Sequence, residues 1–155
     1  LRIIRAAADV NRALMDRLME KIQAEIPALE GKTVAVLGLS FKPNTDDVRE
    51  SPALRFVDRL LALGACVKGY DPAAAENVRR IYGERIFYCE DSYDAVRGAD
   101  ALVIMTEWNE FRLLDLDTVK KLLRSPVVLD CRNIYQPEAM GKMGFRYHSF
   151  GRTAR

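Results

Sequence analysis

A chain of 155 residues is one domain long, on a prior of roughly 100–200 residues per domain. With 49% hydrophobic and 30% charged residues it can bury a core and is too apolar for a disordered segment. The 24 basic and 22 acidic residues leave a net charge of +2, which excludes recognition of a nucleic acid or a membrane surface by bulk charge.

The first segment, Leu1 to Ile26, has neither Gly nor Pro. Ile4, Ala7, Leu14, Leu18 and Ile22 recur at helical spacing, and Val10, Met15, Met19 and Ile26 widen the stripe. They predict one helix of about 26 residues, about 39 Å at 1.5 Å per residue. Such a rod outruns the edge of a small domain, so part of its apolar stripe is expected to find a partner outside this chain's core. Pro27 and Gly31 close it. The leucine at position 1 predicts a piece of a longer polypeptide, and the residues after it lack the apolar core of a signal peptide.

From Lys32 onward, short apolar runs alternate with helical stretches. The runs are 33–37, 65–70, 85–88, 101–105 and 126–130, with a weaker one at 146–150. The first and fourth are apolar throughout, the mark of strands buried on both faces of a parallel sheet. Helices are predicted near 52–63, 74–82, 92–97, 116–123 and 137–143; Ser51 and Pro52 suit the cap and first turn of the first of these. The pattern predicts an α/β fold, a doubly wound Rossmann-like parallel sheet of about six strands behind one long N-terminal helix.

Ligands of such sheets sit beyond the carboxyl ends of the strands, which singles out 38–51, Asp71-Pro72, 106–112 and 131–136. The first of these loops contains Gly38 but no GxGxxG, so a dinucleotide is not expected to sit there in the usual way. It offers Lys42 and Arg49 as cations for phosphate oxygens, with Phe41 as a bulky group to hold the loop on the sheet. The plainer alternative ties Lys42 and Arg49 to Asp46, Asp47 and Glu50 as solvated surface charges. Asp71 reads as a turn or cap residue before a ribose ligand. Trp108 and Phe111 read as packing, and Glu107 and Glu110 make no convincing acid–base pair. Arg132 sits where a cation meets an anion. Cys66, Cys89 and Cys131 form no CxxC and read as buried, reduced thiols of a cytosolic protein. The single His148 excludes a site needing two histidines.

Three stretches, FKPNTDDVRESPA at 41–53, TEWNEFR at 106–112 and DCRNIY at 130–135, stand in this order behind the long helix. Together they resemble the C-terminal part of the UDP-glucose/GDP-mannose dehydrogenase family, over essentially the whole chain. Pro43 and Asn44 look more like the UDP-sugar members, those acting on UDP-glucose above others, although UDP-N-acetylmannosamine members carry a similar loop. The resemblance implies oxidation of a sugar C6 alcohol to a carboxylate in two NAD-dependent steps through a cysteine-bound intermediate. It implies that residues 1–28 end a connecting and dimerisation helix and that 29–155 form the UDP-sugar-binding domain. Phe41, Lys42 and Arg132 match substrate contacts, and Arg49 matches an arginine reaching toward NAD. The implied partners are a UDP-sugar and further copies of the chain, a homodimer or larger, with no nucleic acid and no membrane, in the cytoplasm. The GxGxxG domain and the glycine-flanked catalytic cysteine are lacking, so Cys66, Cys89 and Cys131 inherit no catalytic role and the chain alone is expected to be inactive. A module that chiefly assembles the enzyme is the rival reading. A phospho-receiver is disfavoured because Asp46 and Asp47 come about nine residues after Leu37.

Overall fold

The computed structural model describes residues 1–151; the last four residues of the expected 29–155 domain lie outside the described residues. Six strands, β1 (Thr33–Leu37), β2 (Cys66–Tyr70), β3 (Phe87–Tyr88), β4 (Ala101–Ile104), β5 (Val127–Asp130) and β6 (Arg146–Ser149), form one sheet. Every pairing is parallel and the order is β3-β2-β1-β4-β5-β6. The chain winds outward from β1 in one direction and then, from β4, in the other. The carboxyl ends of β1 and β4 therefore flank the switch point where such sheets take ligands.

Register levels that edge. Leu37 pairs with Tyr70 and with Ile104, Ile104 pairs with Asp130, and Asp130 with Ser149. The residues that follow, Gly38, Asp71, Met105 and Cys131, consequently start four loops from one rim.

The all-apolar runs are buried because helices cover both faces. Successive strand residues point to opposite sides, so Val34 and Val36 join one core and Ala35 and Leu37 the other. On the first side pack α1 (Arg2–Glu25), α2 (Pro52–Ala62) and α3 (Ala75–Tyr82), through Leu18, Ile22, Phe56, Leu60 and Val78. On the second lie α4 (Ser92–Val96), α5 (Asn109–Arg112), α6 (Leu116–Leu122) and α7 (Pro137–Lys142), through Val96, Phe111, Val119 and Met140. The edge strands are shorter or more exposed, and the apolar run at 85–88 keeps only two residues as strand because 83–85 form a 3₁₀ turn.

The long helix divides in two. Met15, Leu18, Met19 and Ile22 are buried on the sheet, while residues 1–13 are exposed, with Ile3 at 85% and Val10 at 65%. The apolar stripe does outrun the core. Glu25 anchors the buried end: it accepts hydrogen bonds from Arg146 (2.8 Å) and faces His148 Nε2 (2.7 Å), both on β6. Burial pushes the Glu25 carboxyl up, but the hydrogen bonds and charges of Arg146 and His148 together outweigh it and hold the group below the usual range. No described helix is long and apolar enough to cross a membrane.

Two local expectations fail here. Ser51 occupies the position before α2 but does not cap it; its hydroxyl donates instead to Leu39 O at 2.8 Å, because a buried hydroxyl takes the nearest unpaired carbonyl. Cys66 is exposed and Cys89 and Cys131 are only partly buried, since each stands at an end of its strand, at the rim of the sheet.

Candidate functional site

Gly38 opens the first loop with φ +88°, and a Cβ there would lie 2.5 Å from Thr106 Cβ and 2.6 Å from Thr106 N. Only glycine allows the β1 and β4 loops to approach this closely. Thr106 then donates to Ser40 O at 2.7 Å, while Gly38 N donates to Tyr70 O at 2.9 Å.

Asp71 is the centre of the rim. Its Oδ2 accepts from the backbone N–H of Leu39 (2.8 Å) and Ser40 (2.9 Å) and from the Trp108 indole (3.3 Å). Its Oδ1 accepts from the N–H of Ala73 and Ala74, both at 2.9 Å. The expected turn role is present, and a loop-pinning role has been added that spacing along the chain does not reveal. Ser40 Oγ continues the network, donating to Lys42 O at 2.9 Å and accepting from Trp108 Nε1 at 3.1 Å.

On this braced segment Phe41 is 51% exposed and does not hold the loop on the sheet. Asp71, Thr106 and Ser51 perform that task through hydrogen bonds, leaving the aromatic ring free for a ligand or another surface. Lys42 is exposed, and its ammonium group makes no hydrogen bond or close ion pair among the described residues, although it lies near enough to Asp47 to help lower that carboxyl. Arg49 behaves differently. Its guanidinium grips Asp47 through two bonds of 3.0 Å, from Nε and Nη2, while its side chain stays 87% exposed. The hydrogen bonds of Arg49, side chain first and then backbone, hold the Asp47 carboxyl down at about 2. The plain alternative therefore describes Arg49 in this state and reaches Lys42 only through the field of Asp47. An open recess of about 540 Å³ beside α3 is lined by Thr45, Asp46, Asp47, Val48, Arg49 and Asn77; Phe41, Lys42 and Arg132 lie outside it.

A second buried carboxylate, Asp130, arranges the β5 loop. Its Oδ1 accepts from Arg132 N (3.0 Å), and its Oδ2 from Tyr135 N (3.1 Å) and Tyr147 OH (2.7 Å). Asn133 adopts φ +56° and exchanges hydrogen bonds with the Phe150 backbone in both directions. Arg132 projects from this turn, 48% exposed, and its Nε donates to Glu107. Glu107 and Trp108 are consecutive, so one short segment after β4 touches the Lys42 loop on one side and Arg132 on the other. Along the sequence Trp108 reads as packing and Glu107 as no acid–base partner, and neither reading predicts these contacts. The signal that finds them is their position just past the strand beside β1.

Neither Cys89 nor Cys131 resembles a nucleophile. Burial, with Asp130 beside it, pushes Cys131 far up, and burial with Asp94 pushes Cys89 up to about 11; a reactive cysteine needs the opposite shift. Among the described residues, no three His, Cys, Asp or Glu side chains converge as metal ligands would.

Residues 35–137 match the model of the UDP-glucose/GDP-mannose dehydrogenase family, UDP binding domain. This span exceeds half the chain. The chain belongs to that family. It is 52% identical over 124 residues to the UDP-glucose 6-dehydrogenase of Rhizobium meliloti (strain 1021), covering 80% of this chain and 28% of that protein. A UDP-glucose dehydrogenase from Pyrobaculum islandicum superposes with a TM-score of 0.79 at 32% identity, over 93% of this chain and 31% of that one. A UDP-D-ManNAc dehydrogenase from Pyrococcus horikoshii follows at 0.69 and 31%, over 97% and 32%. The chain thus spans about a third or less of the length of these family members.

Proposed function

We propose that this chain is the part of an NAD-dependent UDP-glucose 6-dehydrogenase that grips the UDP moiety, while the oxidation of UDP-glucose to UDP-glucuronate takes place in polypeptide beyond it. The observation that carries the reading is Lys42: an exposed cation whose ammonium makes no hydrogen bond or close ion pair among the described residues, on a loop braced from both neighbouring strands, at the switch point of the sheet. Arg132 approaches from the β5 loop, held by an acid that a diphosphate can displace. Phe41 offers an exposed face beside Lys42. Gripping the diphosphate, remote from C6, lets binding energy orient the sugar toward the reacting groups.

The fold family implies NAD, and the turn after β1 does not fit it. The Leu39 and Ser40 N–H groups that would face a pyrophosphate already face Asp71. NAD is therefore assigned to the polypeptide beyond this chain, with Arg49, as the family resemblance implies, the side chain that would reach toward it. Residues 1–28 are assigned to the connecting helix and 29–155 to the UDP-sugar domain. The buried half of α1 contributes to that domain's core. The substrate is proposed as UDP-glucose on the strength of the relatives' names. The similarity to a UDP-D-ManNAc dehydrogenase makes a UDP-N-acetylmannosamine substrate the alternative.

Titration of the chain with UDP, followed by calorimetry, tests the grip. Lys42→Ala is expected to weaken binding by about tenfold or more, the worth of a charge-assisted hydrogen bond. Equal affinity of Lys42→Ala and the unaltered chain removes the reading. A second role is compatible: the exposed apolar residues at and within the first half of α1, Leu1 ahead of it and Ile3, Ile4 and Val10 in it, favour assembly with another copy. Sedimentation of a strictly monomeric species at high concentration counts against that role.

A further inference from the structure

We propose that Asp71 is the positioning residue of the UDP grip. Its carboxylate fills, from inside the protein, the anion cradle that a dinucleotide fold offers to a pyrophosphate, and so holds the segment bearing Lys42 in its working posture. The proposal rests on the reading of Lys42 given above.

Backbone N–H groups converging at the turn after a strand form a nest for an anion, and in a dinucleotide fold the ligand supplies that anion. Here the anion comes from the neighbouring strand. Five donors, the N–H groups of Leu39, Ser40, Ala73 and Ala74 and the Trp108 indole, converge on the two oxygens of a side chain that is only 4% exposed. Four of the five distances are 2.8 or 2.9 Å. The level register of Leu37 with Tyr70 brings Asp71 beside the first loop residues.

Two consequences follow from this geometry. The Leu39 and Ser40 N–H groups face a carboxylate, so a diphosphate at this rim must be read by side chains rather than by the backbone. And the loop is fixed to β2 two residues before Lys42, with Ser40 Oγ relaying that hold to the Lys42 carbonyl at 2.9 Å. A loop ordered before the ligand arrives loses less freedom on binding.

The test uses the full-length enzyme that contains this chain, assayed for UDP-sugar oxidation at saturating NAD, with Asp71→Ala, Asp71→Asn and Lys42→Ala. Asp71→Ala is expected to raise KM for the UDP-sugar by about tenfold, as for loss of charge-assisted bonds, while kcat changes far less. Formate fits the space of the missing carboxylate. It should lower that KM toward the wild-type value, whereas chloride at equal ionic strength should not. Asp71→Asn keeps one acceptor oxygen but turns an NH2 toward N–H donors, so an intermediate KM is expected.

An unchanged KM in Asp71→Ala beside a raised KM in Lys42→Ala overturns the proposal, as does a raised KM that formate relieves no better than chloride. An unchanged KM in Lys42→Ala removes the underlying reading and this proposal with it. If Asp71→Ala fails to fold, Asp71→Asn decides. Faster hydrogen exchange at Leu39 and Ser40 together with a raised KM supports the proposal, and faster exchange with an unchanged KM overturns it.

Discussion

Replacing Gly38 by alanine should unlock the rim on which the functional reading depends. At φ +88° an L-residue pays about 1–2 kcal/mol in backbone strain. The added methyl also lies 2.5 Å from Thr106 Cβ and 2.6 Å from its backbone nitrogen. Neither neighbour is the end of a flexible side chain, so the β4 loop itself must move. Overpacking of this kind costs about 1–3 kcal/mol, for a total of about 2–5 kcal/mol. Gly31 provides the control, with φ +73° and nothing within 4 Å of its would-be Cβ; Gly31→Ala should cost only the strain, about 1–2 kcal/mol. Urea unfolding of both variants, compared through midpoints at constant slope, isolates the contact by difference. At about 2–4 °C per kcal/mol for a chain of this size, Gly38→Ala should lower Tm by roughly 10 °C, and it should weaken UDP binding because Thr106 anchors Ser40. A Gly38→Ala variant no less stable than Gly31→Ala refutes the close approach of the two loops.

Acid should loosen the seat of α1. The folded Glu25 carboxyl lies below its ordinary 4.5, so its contribution is fully present above that value and is lost as pH falls through the depressed folded value. Denaturation series from pH 6 to about 3 should show Glu25→Gln losing less stability than the unaltered chain, and parallel curves would count against the Arg146–Glu25–His148 anchor. Trp108 is the single tryptophan and donates to both Ser40 and Asp71. UDP binding at the Lys42 loop should therefore change its emission, and saturating UDP that leaves the spectrum unaltered would place the ligand elsewhere. Toward a disulfide reagent in native buffer, Cys66 should react first and Cys131 most slowly, because Cys66 is exposed while burial disfavours the Cys131 thiolate. Fast modification of Cys131 in the folded chain would contradict its described environment.

What the sequence determined by itself was the set of elements and the rim. Continuous apolar runs at 33–37 and 101–105 could only be satisfied with helices on both faces, and the loops after the runs at 33–37 and 126–130 carried Lys42 and Arg132 wherever the strands came to lie. Sheet order and register belonged to the tertiary structure, and with them every contact that crosses strands. Asp71 meets Leu39 and Ser40 across more than 30 positions, and Trp108 meets Ser40 across 68. Ser51 leaves its expected cap for Leu39 O, Arg132 finds Glu107, and Phe41 turns outward because hydrogen bonds already hold its loop. The physical reason is the range of the forces. Hydrophobic periodicity is written into neighbouring residues, whereas a buried carboxylate takes as partners whichever N–H groups the packing of the sheet brings within 3 Å.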